Sequence, residues 1–246
     1  MFDGRAGACY HPRSLGGGMV PAARTVLAPV NAADIQSLVL WFVPVLLSLT
    51  VHEWAHAASA NALGDDTAAR LGRLTLNPLP HIDPLGTVLL PVLQVLTSGS
   101  VFFAWAKPVP VTPTRFTRKV TMSTGMMIVS AAGPISNVLI ALASALSLGI
   151  AARMGVLSEP VWAFLSSMIG LNIVLALFNL LPVPPLDGSK VLLGMLPRRA
   201  ALAYEKIFPY APVLLIGVFL FGGRFIRWPM GIFGSWLHGL SQAIAG

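Results

Sequence analysis

Val51-His52-Glu53-Trp54-Ala55-His56 closes an apolar run that opens around Ile35. On a helix, His52 and His56 are four residues apart and project from one face, so they can hold one metal ion between them. Glu53 lies beside that face, placed to take a proton from a water that the metal activates. Zinc suits two imidazoles and a carboxylate, and a fourth position left open serves hydrolysis. Ionisable side chains are costly within an apolar segment and need a reason to be there. The stretch therefore predicts a metal site inside a membrane helix.

Composition agrees with the membrane. Hydrophobic residues make up 55% of the 246 and charged residues only 10%, and the mean hydropathy is +0.76. A soluble domain carries about a quarter charged residues. The reading is an all-α integral membrane protein: one membrane-embedded domain over residues 31–246, with a catalytic core at about 35–193. The net charge of +7 fits basic loops facing anionic lipid. With no basic-aromatic interleaving or nucleic-acid motif, no nucleic-acid partner is expected. Cys9 is the single cysteine, which excludes an internal disulfide and a thiolate-based zinc site.

Residues 1–30, rich in Gly, Pro, Ala and Arg, read as a poorly ordered tail without a signal peptide, and His11 there as solvated. A first membrane helix is expected from about Ile35 to Ala62, capped by Asn31 or Asp34 and stopped at Gly64. The polar connection 64–85 contains Arg73-Leu74-Thr75-Leu76, whose alternation suggests a short surface strand. Asp65 and Asp66 read as a helix-ending turn, and His81 and Asp83 as residues behind the metal or against substrate. Residues 106–122 are proline-rich, basic and extended.

Helices are expected at about Ser123–Arg153 and Pro160–Leu181. The first carries Ala132-Gly133-Pro134-Ile135-Ser136-Asn137, small residues that let helices approach closely. Asn137 there either bonds a neighbouring helix or serves the site directly. The second runs into Asn179-Leu-Leu-Pro182-Val-Pro184-Pro185-Leu-Asp187-Gly188. Its prolines end the helix where a carboxylate arrives, and extended backbone at that depth needs protein or a wet cavity around it. Asp187 is thus the third metal-ligand candidate. Residues 189–208 read as a basic loop with a short helix around 200–207. After it, 209–221 is apolar, Gly222-Gly223-Arg224 breaks it, and 226–245 is a second short span or interfacial segment, with His238 at the interface.

Ligands must meet at one depth. His52 and His56 lie late in their helix and Asp187 just beyond its own, so the two helices run the same way and an odd number of spans separates them. Residues 123–153 supply one, which predicts that 86–105 is a re-entrant or hairpin segment. Ten Lys and Arg then fall on the metal side and six on the other, counting Arg224 and Arg227 with the six. That puts the site toward the cytoplasm. A spanning 86–105 gives eleven against five, so the ligand geometry decides, not the charge.

These pieces together resemble the site-2 protease family of intramembrane zinc metalloproteases, in its compact bacterial form without a PDZ domain. The resemblance rests on HEWAH at 52–56, GDDTAARLGRLTLNPLPHIDPLGT at 64–87, WAKPVPV at 105–111, AGPISN at 132–137 and FNLLPVPPLDG at 178–188. It implies a three-helix core around one zinc per chain held by His52, His56 and Asp187, with Glu53 as general base. It also implies Asn137 and Asn179 near the metal, suited to the substrate backbone or the oxyanion. A single-span membrane protein cut within or beside its helix is the implied substrate, and a bacterial cytoplasmic membrane the implied location. The first 30 residues and the C-terminal segment gain nothing from the likeness. A membrane zinc hydrolase of a non-peptide substrate, or a silent scaffold or transporter that binds metal, are the alternatives.

Overall fold

The computed structural model describes residues 32–98, 105–117 and 119–246. The first helix, α1, covers Ala32–Ala62, so Asp34 lies inside it instead of capping it. Asn31 falls outside the described residues. Gly64, at φ 101°, ends α1: its N–H reaches the Asn61 carbonyl and the N–H of Asp65 reaches that of Ala60. This is the glycine-terminated double bond that satisfies the last carbonyls of a helix. A single turn follows, α2, Thr67–Arg70. Gly72 (φ 67°) then closes it in the same way, through Gly72 N–H to Ala69 and Arg73 N–H to Ala68.

The expected strand at 73–76 is absent: no strand occurs among the described residues. Local side-chain bonds win there, since Thr75 Oγ1 accepts from the N–H of Asn77 and Asn77 Oδ1 from that of Leu79. Such turns compete directly with ladder formation.

The two described ends of the 84–105 stretch lie side by side. Pro84–Leu89 form one wide turn and Leu90–Ser98 form α3. The N–H of Trp105 then donates to the Gly86 carbonyl at 3.2 Å, and Thr87 Oγ1 to the Trp105 carbonyl at 2.7 Å. The Trp105 ring lies so close to Gly86 that a β-carbon there would sit 2.1 Å from it. Fifteen helical residues reach at most about 22 Å, short of the ~30 Å hydrocarbon layer. The described ends of the stretch meet, as the hairpin expected from ligand parity requires.

α4, Met122–Arg153, is the central helix, its first turn capped by Thr121 Oγ1 on the N–H of Thr124. A buried face of Gly, Ala and Ser lets it lie against α1 on one side and α5, Glu159–Asn179, on another. Ala141, Ala145 and Leu148 of α4 pack with Ile169 and Ile173 of α5. Pairing of α4 with both neighbours is antiparallel, so α1 and α5 run the same way. Among the described residues, three stretches are long and apolar enough to cross a membrane: Met122–Arg153, Glu159–Asn179 and Arg198–Val218.

The C-terminal third departs from expectation twice. Residues 189–195, read as loop, belong to a short helix, α6 over Asp187–Met195, while the short helix expected around 200–207 forms as α7 over Arg198–Glu205. Then α8 runs unbroken from Ala211 to Ala245, through the Gly-Gly-Arg expected to break it. Two glycines cost a helix only about 1 kcal/mol each, whereas opening its ladder in an apolar setting costs several per bare group. Leu237 of α8 joins the α4–α5 core, and Gly149 receives Ser241 and Ile244. Arg224 and Arg227 are therefore inside α8 and not on an opposing loop.

Candidate metal centre

His52 and His56 are 5% and 8% exposed on α1, and their Nε2 atoms are 3.1 Å apart. Asp187 is the first residue of α6, and its Oδ2 lies 3.2 Å from each. Gly188 makes this approach feasible: a β-carbon there would stand 2.2 Å from the Leu180 carbonyl oxygen at the end of α5. The Asp-Gly pair is thus a helix start wedged under α5, not a simple turn.

The far side of each imidazole fixes its proton. His52 Nδ1 is 2.6 Å from Asn137 Oδ1, and His56 Nδ1 is 2.7 Å from the Val129 carbonyl. With Asn137 oriented by Asn172, both are acceptors, so each Nδ1 carries the hydrogen and each Nε2 lone pair turns inward. Two lone pairs and a carboxylate oxygen then face one another, and they repel unless a cation lies between them. Ligands of a tetrahedral zinc at about 2.0–2.1 Å stand roughly 3.3–3.4 Å apart. The observed 3.1–3.2 Å fits that edge, and the three donors leave a fourth vertex open.

Asn137 is fully buried and oriented by a polar chain. Its Nδ2 donates to Asn172 Oδ1 at 2.8 Å, and Asn172 Nδ2 donates to Ser48 Oγ and to the Met168 carbonyl, both at 2.8 Å. The chain thus ties α4, α5 and α1 together behind His52, with Asn137 Oδ1 on the imidazole and Nδ2 on Asn172. Sequence reading missed Asn172; a lone amide inside an apolar helix, with Ser48 one turn before His52, was the available signal. Gly133 closes the other wall, since a β-carbon there would lie 2.4 Å from His56 Nε2 and 2.6 Å from His52 Cε1.

Glu53 is half-buried, and its Oε2 accepts from the Val109 N–H at 2.9 Å. Asn179 Nδ2 donates to the Leu175 carbonyl of its own helix. His238 stands exposed on α8, apart from the cluster. His81 and Asp83 hold backbone: His81 Nε2 donates to the Thr75 carbonyl and Asp83 Oδ1 accepts from Leu85 and Gly86. Asp66 is an exposed partner of Arg70 and Arg115. Asp65 is more than a turn residue. It is fully buried, and its carboxylate accepts from Thr67 and, at 2.6 Å, from the N–H of Thr112.

Comparison with known proteins agrees with this centre. Residues 148–220 match the family model described as Peptidase family M50. Over 194 residues the chain is 38% identical to "Putative zinc metalloprotease YwhC" of Bacillus subtilis, covering 76% of this chain and 84% of that protein. It is 30% identical over 224 residues to "Putative zinc metalloprotease Rip2" of Mycolicibacterium smegmatis, covering 87% and 78%. The Rip2 protein of Mycobacterium tuberculosis H37Rv is 29% identical over 234 residues, covering 93% and 83%. No solved structure gives a significant match. A two-histidine, one-aspartate cluster on apolar helices and a relative matched along most of both chains lead to one conclusion: the chain belongs to peptidase family M50, the site-2 protease family of zinc metalloproteases.

Proposed function

We propose that this chain is a zinc-dependent intramembrane endopeptidase that hydrolyses a peptide bond in or beside a transmembrane helix of another membrane protein. The observation that carries the reading is the convergence of His52 Nε2, His56 Nε2 and Asp187 Oδ2 within 3.2 Å of one another, beside the apolar helices Met122–Arg153 and Glu159–Asn179.

Zinc fits these donors, and when bound it supplies Lewis acidity toward a carbonyl oxygen and a water molecule. The protein's own groups do the rest. Glu53 accepts a proton from the attacking water and returns it to the leaving amine, a role typically worth 10²–10⁴ in rate, as an order of magnitude. Asn137 is a positioning residue, holding the His52 ring through Nδ1. Asn179 is the remaining candidate for the oxyanion, and its amide must leave the Leu175 carbonyl to serve. Lys107, Val109 and Thr112 already use their N–H groups within the protein, and Pro108 and Pro110 have none.

The sequence count of ten basic residues on the metal side against six on the other supports a metal centre toward the cytoplasm. The test is reconstitution with a single-span substrate. Wild type is expected to release a peptide, and Glu53→Gln to bind zinc yet cut at least about 100-fold more slowly. Zinc binding without any peptide release would favour a non-peptide substrate.

A further inference from the structure

Arg73 is only 6% exposed, and among the described residues no carboxylate lies in ion-pair range of it. Its Nη1 donates to the Pro80 carbonyl, and its Nη2 to the Lys107 carbonyl and, at 3.2 Å, to that of Pro108. Its Nε has no partner, so the two Nη groups alone hold it. A buried cation met only by backbone carbonyls is costly to place, and the planar fork of arginine, unlike lysine, can bridge two chain segments at once.

The bridged segments matter because of what lies two residues on. The stretch 105–112 is fixed at both ends: Lys107 N–H donates to the His81 carbonyl at 2.9 Å, and Thr112 N–H to Asp65 Oδ2 at 2.6 Å. Between them stands Val109, flanked by Pro108 and Pro110, with its N–H on the Glu53 carboxylate. Asp65 and Arg73 each follow a helix-ending glycine, so α2 is one turn that delivers an anion and a cation to opposite ends of one rail.

From this we infer that Arg73 is a positioning residue for the peptide-bond hydrolysis: by clamping the Lys107–Pro108 backbone, with Asp65 anchoring the far end, it holds the Val109 N–H against Glu53 and so sets the direction of that carboxylate. The inference rests on the endopeptidase reading for its effect on rate, but not for the clamp itself.

The test uses the full, zinc-loaded chain in lipid nanodiscs, comparing wild type, Arg73→Lys, Val109→Pro and the double variant. Because Pro108 and Pro110 lack an N–H, residues 108–110 contain one exchangeable amide, that of Val109. Hydrogen exchange there is expected to be at least about tenfold faster in Arg73→Lys than in wild type. Its kcat is expected to fall about tenfold or more while KM stays within about twofold and zinc content stays at one per chain. Val109→Pro, which deletes the N–H but suits an extended chain, should reproduce the fall in kcat, and the double variant should be no slower than Val109→Pro alone. Unchanged exchange in Arg73→Lys, or wild-type kcat in Val109→Pro, overturns the inference. If wild type itself cuts no peptide, the endopeptidase reading fails and the exchange comparison decides the clamp by itself.

Discussion

The candidate metal ligands show how far single side chains can be read without coordinates. His52, His56 and Asp187 were legible because such groups are expensive in apolar surroundings and these cluster in few motifs. Asn172, Asp65 and Arg73 were not, since their partners lie on other elements and nothing local marks them. Asn137 was legible as important but not in its role, which depends on which atom faces His52 Nδ1. Two substitutions follow. Asn137→Ala should weaken zinc binding by roughly 10–100-fold, measured by competition with a chelator, because the ring loses the group that fixes its tautomer. Gly133→Ala places a carbon 2.4 Å from His56 Nε2, and the expected outcome is a folded, helical protein that retains no zinc by elemental analysis. At the surface, Arg70 and then Arg115 hold the Asp66 carboxyl below its ordinary range. A depressed folded pKa gives stability that is present above the unfolded value and lost as pH falls through the folded one. The melting temperature of Asp66→Asn should therefore trail wild type slightly at pH 7, and the gap should close below about pH 4.

Elements were legible where their ends carry chemistry. Gly64 and the proline run after Asn179 mark boundaries that the structure reproduces within a few residues. The 84–105 hairpin was reached by parity of ligand depth, and its latch of Gly86, Thr87 and Trp105 explains why it closes. α6 was missed because Asp187-Gly188 has the composition of a turn; only the contact with the Leu180 carbonyl shows that it starts a helix. α8 was misread because glycine pairs break helices in water, where bare backbone is solvated, and not in lipid. Cysteine accessibility tests the hairpin. In a Cys9→Ser background, Leu85→Cys and Lys107→Cys should react with an impermeant thiol reagent from one side, and Met154→Cys only from the other. Labelling of Leu85→Cys and Lys107→Cys from opposite sides would mean that the segment crosses.

For the whole molecule, the account reduces to two parallel helices, α1 and α5, with α4 running against both, so that the late part of one and the sequel of the other meet at one depth. The small-residue face of α4 sets that distance, and the Asn137–Asn172–Ser48 chain sets the rotation of the three helices about it. The claim beneath everything else is that Asp187, 131 positions after His56 in sequence, completes the same metal centre. The zinc content of purified wild type and Asp187→Ala after dialysis against a weak chelator tests it most directly. The account predicts one zinc per chain in wild type and close to none in Asp187→Ala with its helical content intact; an Asp187→Ala protein that keeps its zinc would contradict it.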